Sequence, residues 1–191
     1  MELGKIDDAL KLSMKIKERY DKAWILSDIA YVKKDENLMN EAIKVAGKME
    51  DRYEKVSILS KIASMMADLG RRQETAESIN EMLKILERIE YEVEKAMAMA
   101  LISHAMFKFG DERYKEILVK AKEMAKELES FEKDFAYPLI ARVMIELGKF
   151  EDALKFIDGM EDEEMKMSVY ISIANDLLAE GREEDAMRIA E

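Results

Sequence analysis

Residues 18–30 read ERYDKAWILSDIA, and residues 51–63 read DRYEKVSILSKIA. Eight of the thirteen positions are identical and Glu/Asp exchanges cover two more, at an offset of 33 residues. A chain that repeats itself at a period of about 20–50 residues is built from units that cannot bury their apolar faces alone and must stack on one another.

The pattern extends over the chain. Lys22, Lys55, Lys95, Lys133 and Lys166 each precede an Ile by seven residues: Ile29, Ile62, Ile102, Ile140 and Ile173. A small residue follows each Ile: Ala30, Ala63, Ser103, Ala141 and Ala174. Fifteen residues after each Lys stands Asn37, Gly70, Gly110, Gly148 or Gly181. Gly4 lies a further 33 residues before Asn37. The spacing predicts one helical-repeat domain over 1–191, with a half unit at 1–21 and units at about 22–54, 55–94, 95–132, 133–165 and 166–191.

Each letter has a physical reading. Gly just past a helix adopts a left-handed conformation without steric cost, and Asn is next best. That makes Asn37 the expected stop of the first helix. An Ala or Ser within a helix lets a second helix approach closely. Ala23, Leu26, Ile29 and Ala30 fall on one stripe at helical spacing, which marks the first helix of a unit. The second helix follows the Gly. GKIDDAL, GKFEDAL and GREEDAM place Ala9, Ala153 and Ala186 five residues on, and Ala42 holds that place after Asn37. Acidic residues fill the first turn, where the helix dipole favours them.

These residues resemble the tetratricopeptide family of helix pairs. Ile29–Ala30, Ile62–Ala63, Ile140–Ala141 and Ile173–Ala174 match its large–small pair, and Gly148–Ala153 and Gly181–Ala186 match its next spacing. The resemblance implies an all-α, right-handed α-solenoid of antiparallel helix pairs. Three features depart from the family: Ile16, Met49 and Met160 replace its second small residue in the second helix, the Pro near the unit's end is missing, and the shortest period is 33 residues.

Two units are long, with 40 residues from Gly70 to Gly110 and 38 from Gly110 to Gly148. Ala76, Ile79, Leu83, Leu86 and Val93 form one stripe, and Tyr114, Ile117, Ala121, Met124, Leu128 and Phe131 another. Two long, continuous second helices are expected. Pro138 falls inside the fourth first helix, and a start near Phe135 would place it in a tolerated first turn.

Composition excludes several functions. A net charge of −11, from 42 acidic and 31 basic residues, disfavours nucleic-acid binding. There is no Cys, hence neither disulfide nor thiolate chemistry. The single His104 has no Glu three residues earlier, and neither HExxH nor a phosphate-binding glycine loop occurs. Neither a metal site nor a cofactor site is indicated, and no enzyme is expected. The first residues lack a secretory apolar region and no apolar run is long enough for a membrane span, so a cytoplasmic protein is expected. Abundant Glu and Lys with one Gln lean towards a thermophilic composition. Sixteen Met residues are read chiefly as core filling.

By the resemblance, the first helices line a concave groove for a protein or peptide partner. Trp24, Tyr31, His104, Phe107, Arg142 and Asn175 are its expected contacts, because aromatic and Arg side chains carry the largest interface energies. A non-catalytic protein–protein interaction scaffold is the expected function. The alternatives are a homo-oligomeric array assembled through uncapped repeat ends, or one segment of a larger regulatory protein.

Overall fold

The computed structural model describes residues 3–190. Met1, Glu2 and Glu191, which open and close the terminal units expected from the repeat, lie outside the described residues. Eleven helices and no strand occur among the described residues. They are α1 (Leu3–Ser13), α2 (Arg19–Lys33), α3 (Glu36–Gly47), α4 (Arg52–Asp68), α5 (Arg72–Leu86), α6 (Glu92–Phe109), α7 (Tyr114–Glu127), α8 (Ser130–Glu146), α9 (Phe150–Asp158), α10 (Glu163–Ala179) and α11 (Glu183–Ala190). No helix is long and apolar enough to cross a membrane.

The even-numbered helices from α2 to α10 are the first helices of the five units. Each begins three residues before its Lys, a turn earlier than the repeat suggests. An acidic residue stands at the N-cap in four of the five, and hydrogen bonds there account for three of the starts. Asp51 and Asp162 accept the N–H groups of Glu54 (2.8 Å) and Met165 (2.9 Å), so the Asp sets the boundary rather than the Lys. Glu18 and Glu129 hold the same place, and the Glu129 N–H donates to the Glu132 carboxylate at 3.1 Å. This last cap also explains why α8 starts at Ser130 and not near Phe135. Pro138 therefore lies inside α8, where it cannot donate to the preceding turn.

The Gly stops are where the spacing puts them. Gly70, Gly110, Gly148 and Gly181 have φ of 75°, 86°, 72° and 76°. The first unit differs. Lys34, not Asn37, takes the left-handed conformation, with φ 52°. The Lys34 and Asp35 N–H groups close on the Tyr31 and Ala30 carbonyls, as the Gly70 and Arg71 N–H groups close on Ala67 and Met66. Asp35 then caps α3 by accepting from Asn37 (2.9 Å) and Leu38 (3.1 Å), which draws Asn37 into the helix. The cap outweighs the strain of a left-handed Lys, about 1–2 kcal/mol. Lys34→Gly is accordingly expected to stabilise the chain by about 1 kcal/mol, and Gly148→Ala to destabilise it by about 1–2 kcal/mol. A Cβ at Gly148 meets nothing within 4 Å, so urea denaturation would read backbone strain alone.

The second helices end by a shared device. Ile16, Met49, Ile89, Leu128 and Met160 donate their N–H groups to the carbonyls three residues earlier, at 3.2, 3.0, 3.3, 3.4 and 2.9 Å. Met49, Ile89, Leu128 and Met160 are buried there. Ile16, Met49 and Met160 thus lie in the turn after the second helix and not within it. The expected long helices stop at the same device: α5 at Leu86, leaving Val93 to α6, and α7 at Glu127, leaving Phe131 to α8. At 15 and 14 residues they still exceed α3 (12) and α9 (9).

The chain divides into two compact units. The first comprises Met1–Ile89 with Ala105–Glu112, and the second Glu90–His104 with Arg113–Glu191, so that α6 contributes to both. In the first unit α2 packs on α1, α3 and α4, and α4 on α3 and α5. Its core includes Leu26, Met39, Ile58, Leu59, Ile62, Met66 and Met82, all fully buried. In the second unit α8 packs on α7, α9 and α10, and α10 on α9 and α11. Tyr137 and Phe156 stack there at 4.3 Å, beside Ile140, Met144 and Ile157. Met39, Met66, Met82, Met106 and Met144 are core-filling, whereas Met14, Met167 and Met187 are exposed. The repeated pair behaves as its chemistry requires. All five Ile residues are buried, as are Ala30, Ala63, Ser103 and Ala141, while Ala174 is half-buried.

Candidate functional site

In the first unit the aromatic residues of α2 are displayed. Trp24 and Tyr31, seven residues apart on one helical face, are 40% and 37% exposed. The Trp24 ring lies 5.8 Å from Tyr20, and the Lys61 ammonium sits 3.4 Å above it. Lys61 also pairs with Asp28 at 2.8 Å. Burial pushes the Lys61 ammonium below the usual lysine range, against the opposing effect of the hydrogen bond it donates to Asp28. The α4 lysine thereby fixes the indole from one side and leaves the rest of the ring open. The indole is attractive to a cation or an apolar group. Phe107, at the α6 end within this unit, is 38% exposed.

Small hydroxyl residues next to this face are inaccessible. Ser27, Ser60 and Ser64 are buried and donate to backbone carbonyls of their own helices at 2.7–2.9 Å. Ser27 and Ser60 are therefore packing positions, as is the fully buried Ala100 of α6.

The second unit brings two of the expected contacts together. His104 Nε2 lies 3.2 Å from one Glu146 carboxylate oxygen, and Arg142 Nε lies 3.2 Å from the other. The Arg142 guanidinium also reaches Asp176 (3.4 Å) on α10 and Glu180 (2.6 Å) just past its end. An anionic partner group would have to displace these carboxylates to reach Arg142. Arg142 and Glu146 stand one turn apart on α8, the spacing at which such pairs form. The contacts to Asp176 and Glu180, 34 and 38 residues away, depend on how α8 packs on α10. Such part-exposed pairs are worth about 0–1 kcal/mol each. Asn175 is exposed on α10 beside Asp176.

A cleft of about 600 Å³ opens between α9, α10 and α11, lined mainly by Leu154, Met167, Tyr170, Ile171 and Ile189. The Tyr170 hydroxyl donates to Asp158 at 2.8 Å, and burial with this neighbour pushes it up to about 12. Arg188 stacks 3.8 Å over Phe150 and pairs with Glu151 at 2.7 Å. The sequence reading does not anticipate this cleft. The available signal was the bulk of Met167 and Ile171, where α2 carries Ala23 and Ser27 in the same register.

No protein-family model matches the chain. No curated protein sequence matches it either. Several solved structures are similar. Ton1535 from Thermococcus onnurineus NA1 is 19% identical with a TM-score of 0.62, over 98% of this chain and 53% of that one. The chain therefore spans about half the length of that protein. BtubC (BKLC) from P. vanneervenii is 18% identical with a TM-score of 0.46, over 96% of this chain and 83% of that one. The likeness to Ton1535 shows the fold: an all-helical chain in a repeat-like arrangement.

Proposed function

We propose that the chain is a non-catalytic protein–protein interaction scaffold. In this reading its tetratricopeptide-like helix pairs wind as a right-handed solenoid, and the exposed faces of the first helices take a peptide or a partner helix. The observation that carries the reading is the α2 face. Trp24 and Tyr31 stay open to solvent on a helix whose Ala23, Leu26, Ile29 and Ala30 are buried, and Lys61 holds the indole in place. Rigid aromatic groups presented in this way are the residues that dominate protein interfaces. The net charge of −11 supports a protein partner over nucleic acid.

Capture of a partner from a lysate of the source cells tests this. The double variant Trp24→Ala/Tyr31→Ala is expected to retain at least tenfold less of the partner that wild type retains, with little change in stability because both rings are exposed. Equal capture of that partner by both proteins would contradict the assignment of the α2 face.

A further inference from the structure

His104 is the one histidine of a chain without cysteine. Histidine is the side chain whose ordinary protonation range, around about pH 6.5, lies closest to neutrality. Helix α6 presents His104 to α8, where its Nε2 lies 3.2 Å from Glu146. The two side chains are 18% and 25% exposed, so water and salt screen the pair less than they screen a pair on the open surface. A neutral imidazole can already donate from Nε2 to the carboxylate. Only the form protonated on both nitrogens adds a full positive charge to that contact.

The surroundings favour that charge. Arg142 holds the second oxygen of Glu146 at 3.2 Å, but its guanidinium is shared with Asp176 and Glu180. Arg182 reaches Glu180 at 3.8 Å and is itself paired with Asp185 at 2.6 Å. This run of contacts sets two arginines against four carboxylates: Glu146, Asp176, Glu180 and Asp185. Lys108, one turn beyond His104 on α6, is taken by Asp68 at 3.3 Å. Partial burial and the Arg142 charge oppose protonation of His104. The Arg142 charge is spread over three carboxylates, however, whereas Glu146 touches the imidazole directly. We infer that His104 is a proton-operated clamp between α6 and α8: acidification from about pH 8 to about pH 5.5 turns a neutral hydrogen bond to Glu146 into an ion pair and tightens the second compact unit. A carboxylate partner raises the proton affinity of an imidazole in the folded chain above that in the unfolded chain. The added stability is therefore full below the ordinary histidine range and is lost as pH rises through the folded-state one. Glu146 has to stay ionised, which bounds the window from below at the carboxylate range, about pH 4–4.5. The inference does not depend on the scaffold reading.

With one histidine in the chain, the imidazole signals in NMR spectra of the full protein report this position alone. In Glu146→Gln, which keeps the shape of the side chain and removes its charge, the imidazole is expected to hold its proton at least about threefold more weakly than in wild type. Equal titration midpoints in the two proteins would overturn the inference. Urea denaturation of wild type and His104→Gln at about pH 5.5 and about pH 8 gives a second reading. The advantage of wild type over the variant is expected to grow on acidification, by at least about threefold in the unfolding equilibrium constant. A role in packing alone would give the same difference at both pH values. That result, or an advantage that shrinks on acidification, would also overturn the inference.

Discussion

Ile62→Ala and Ile140→Ala are each expected to cost about 2–5 kcal/mol, a large share of the roughly 5–15 kcal/mol that stabilises a domain. Both side chains are completely buried, one in each compact unit. Each is the large member of the repeated large–small pair. Truncation removes buried methyl groups and leaves a cavity between helices that cannot close without moving a whole helix. Urea denaturation followed by circular dichroism reads the loss. A cost below 1 kcal/mol at both positions would mean that the repeated Ile is not a packing determinant.

The small member makes the opposite prediction. Ala63 and Ala141 are also fully buried, so Ala63→Leu or Ala141→Leu pushes added bulk into a filled contact. About 1–3 kcal/mol of destabilisation is expected. Ala174 occupies the same register but is half-buried beside the α10 cleft. Ala174→Leu is expected to stay within about 0.5 kcal/mol of wild type. The contrast depends on burial and not on the residue type, because all three are Ala seven residues before a helix-ending Gly. Equal costs at all three would show that the α10 face is as filled as the others.

The repeat made the helix pairs legible because its letters carry strong local physics. Gly70, Gly110, Gly148 and Gly181 take the left-handed turns that their spacing implies, and Ile29 to Ile173 are buried at the same step of each unit. Boundaries were less legible where two local preferences compete. Asn37 suits a helix stop, but Asp35 is a better helix start, and the capping bonds to Asn37 and Leu38 place the turn at Lys34. The ends of α5 and α7 carry no Gly or Pro. Ile89 and Leu128 leave the helix because the turn buries them, a tertiary gain that periodicity cannot register. Pro138 is accommodated because the Glu129–Glu132 cap anchors α8 two turns earlier.

The candidate contacts were legible in part. The exposure of Trp24 and Tyr31 follows from their place opposite the buried stripe of α2. The engagement of Arg142 by Asp176 and Glu180 does not, since it arises between helices. The α10 cleft was hidden for a related reason: the sequence shows what stands at each register position but not whether a neighbour covers it.

Hydrogen–deuterium exchange of the chain with its captured partner tests the central reading most directly. The scaffold account predicts slowed exchange in the complex over α2, in peptides containing Trp24 to Tyr31, with the partner recovered chemically unchanged. Unaltered exchange throughout α2, or a partner released as a converted product, would contradict it.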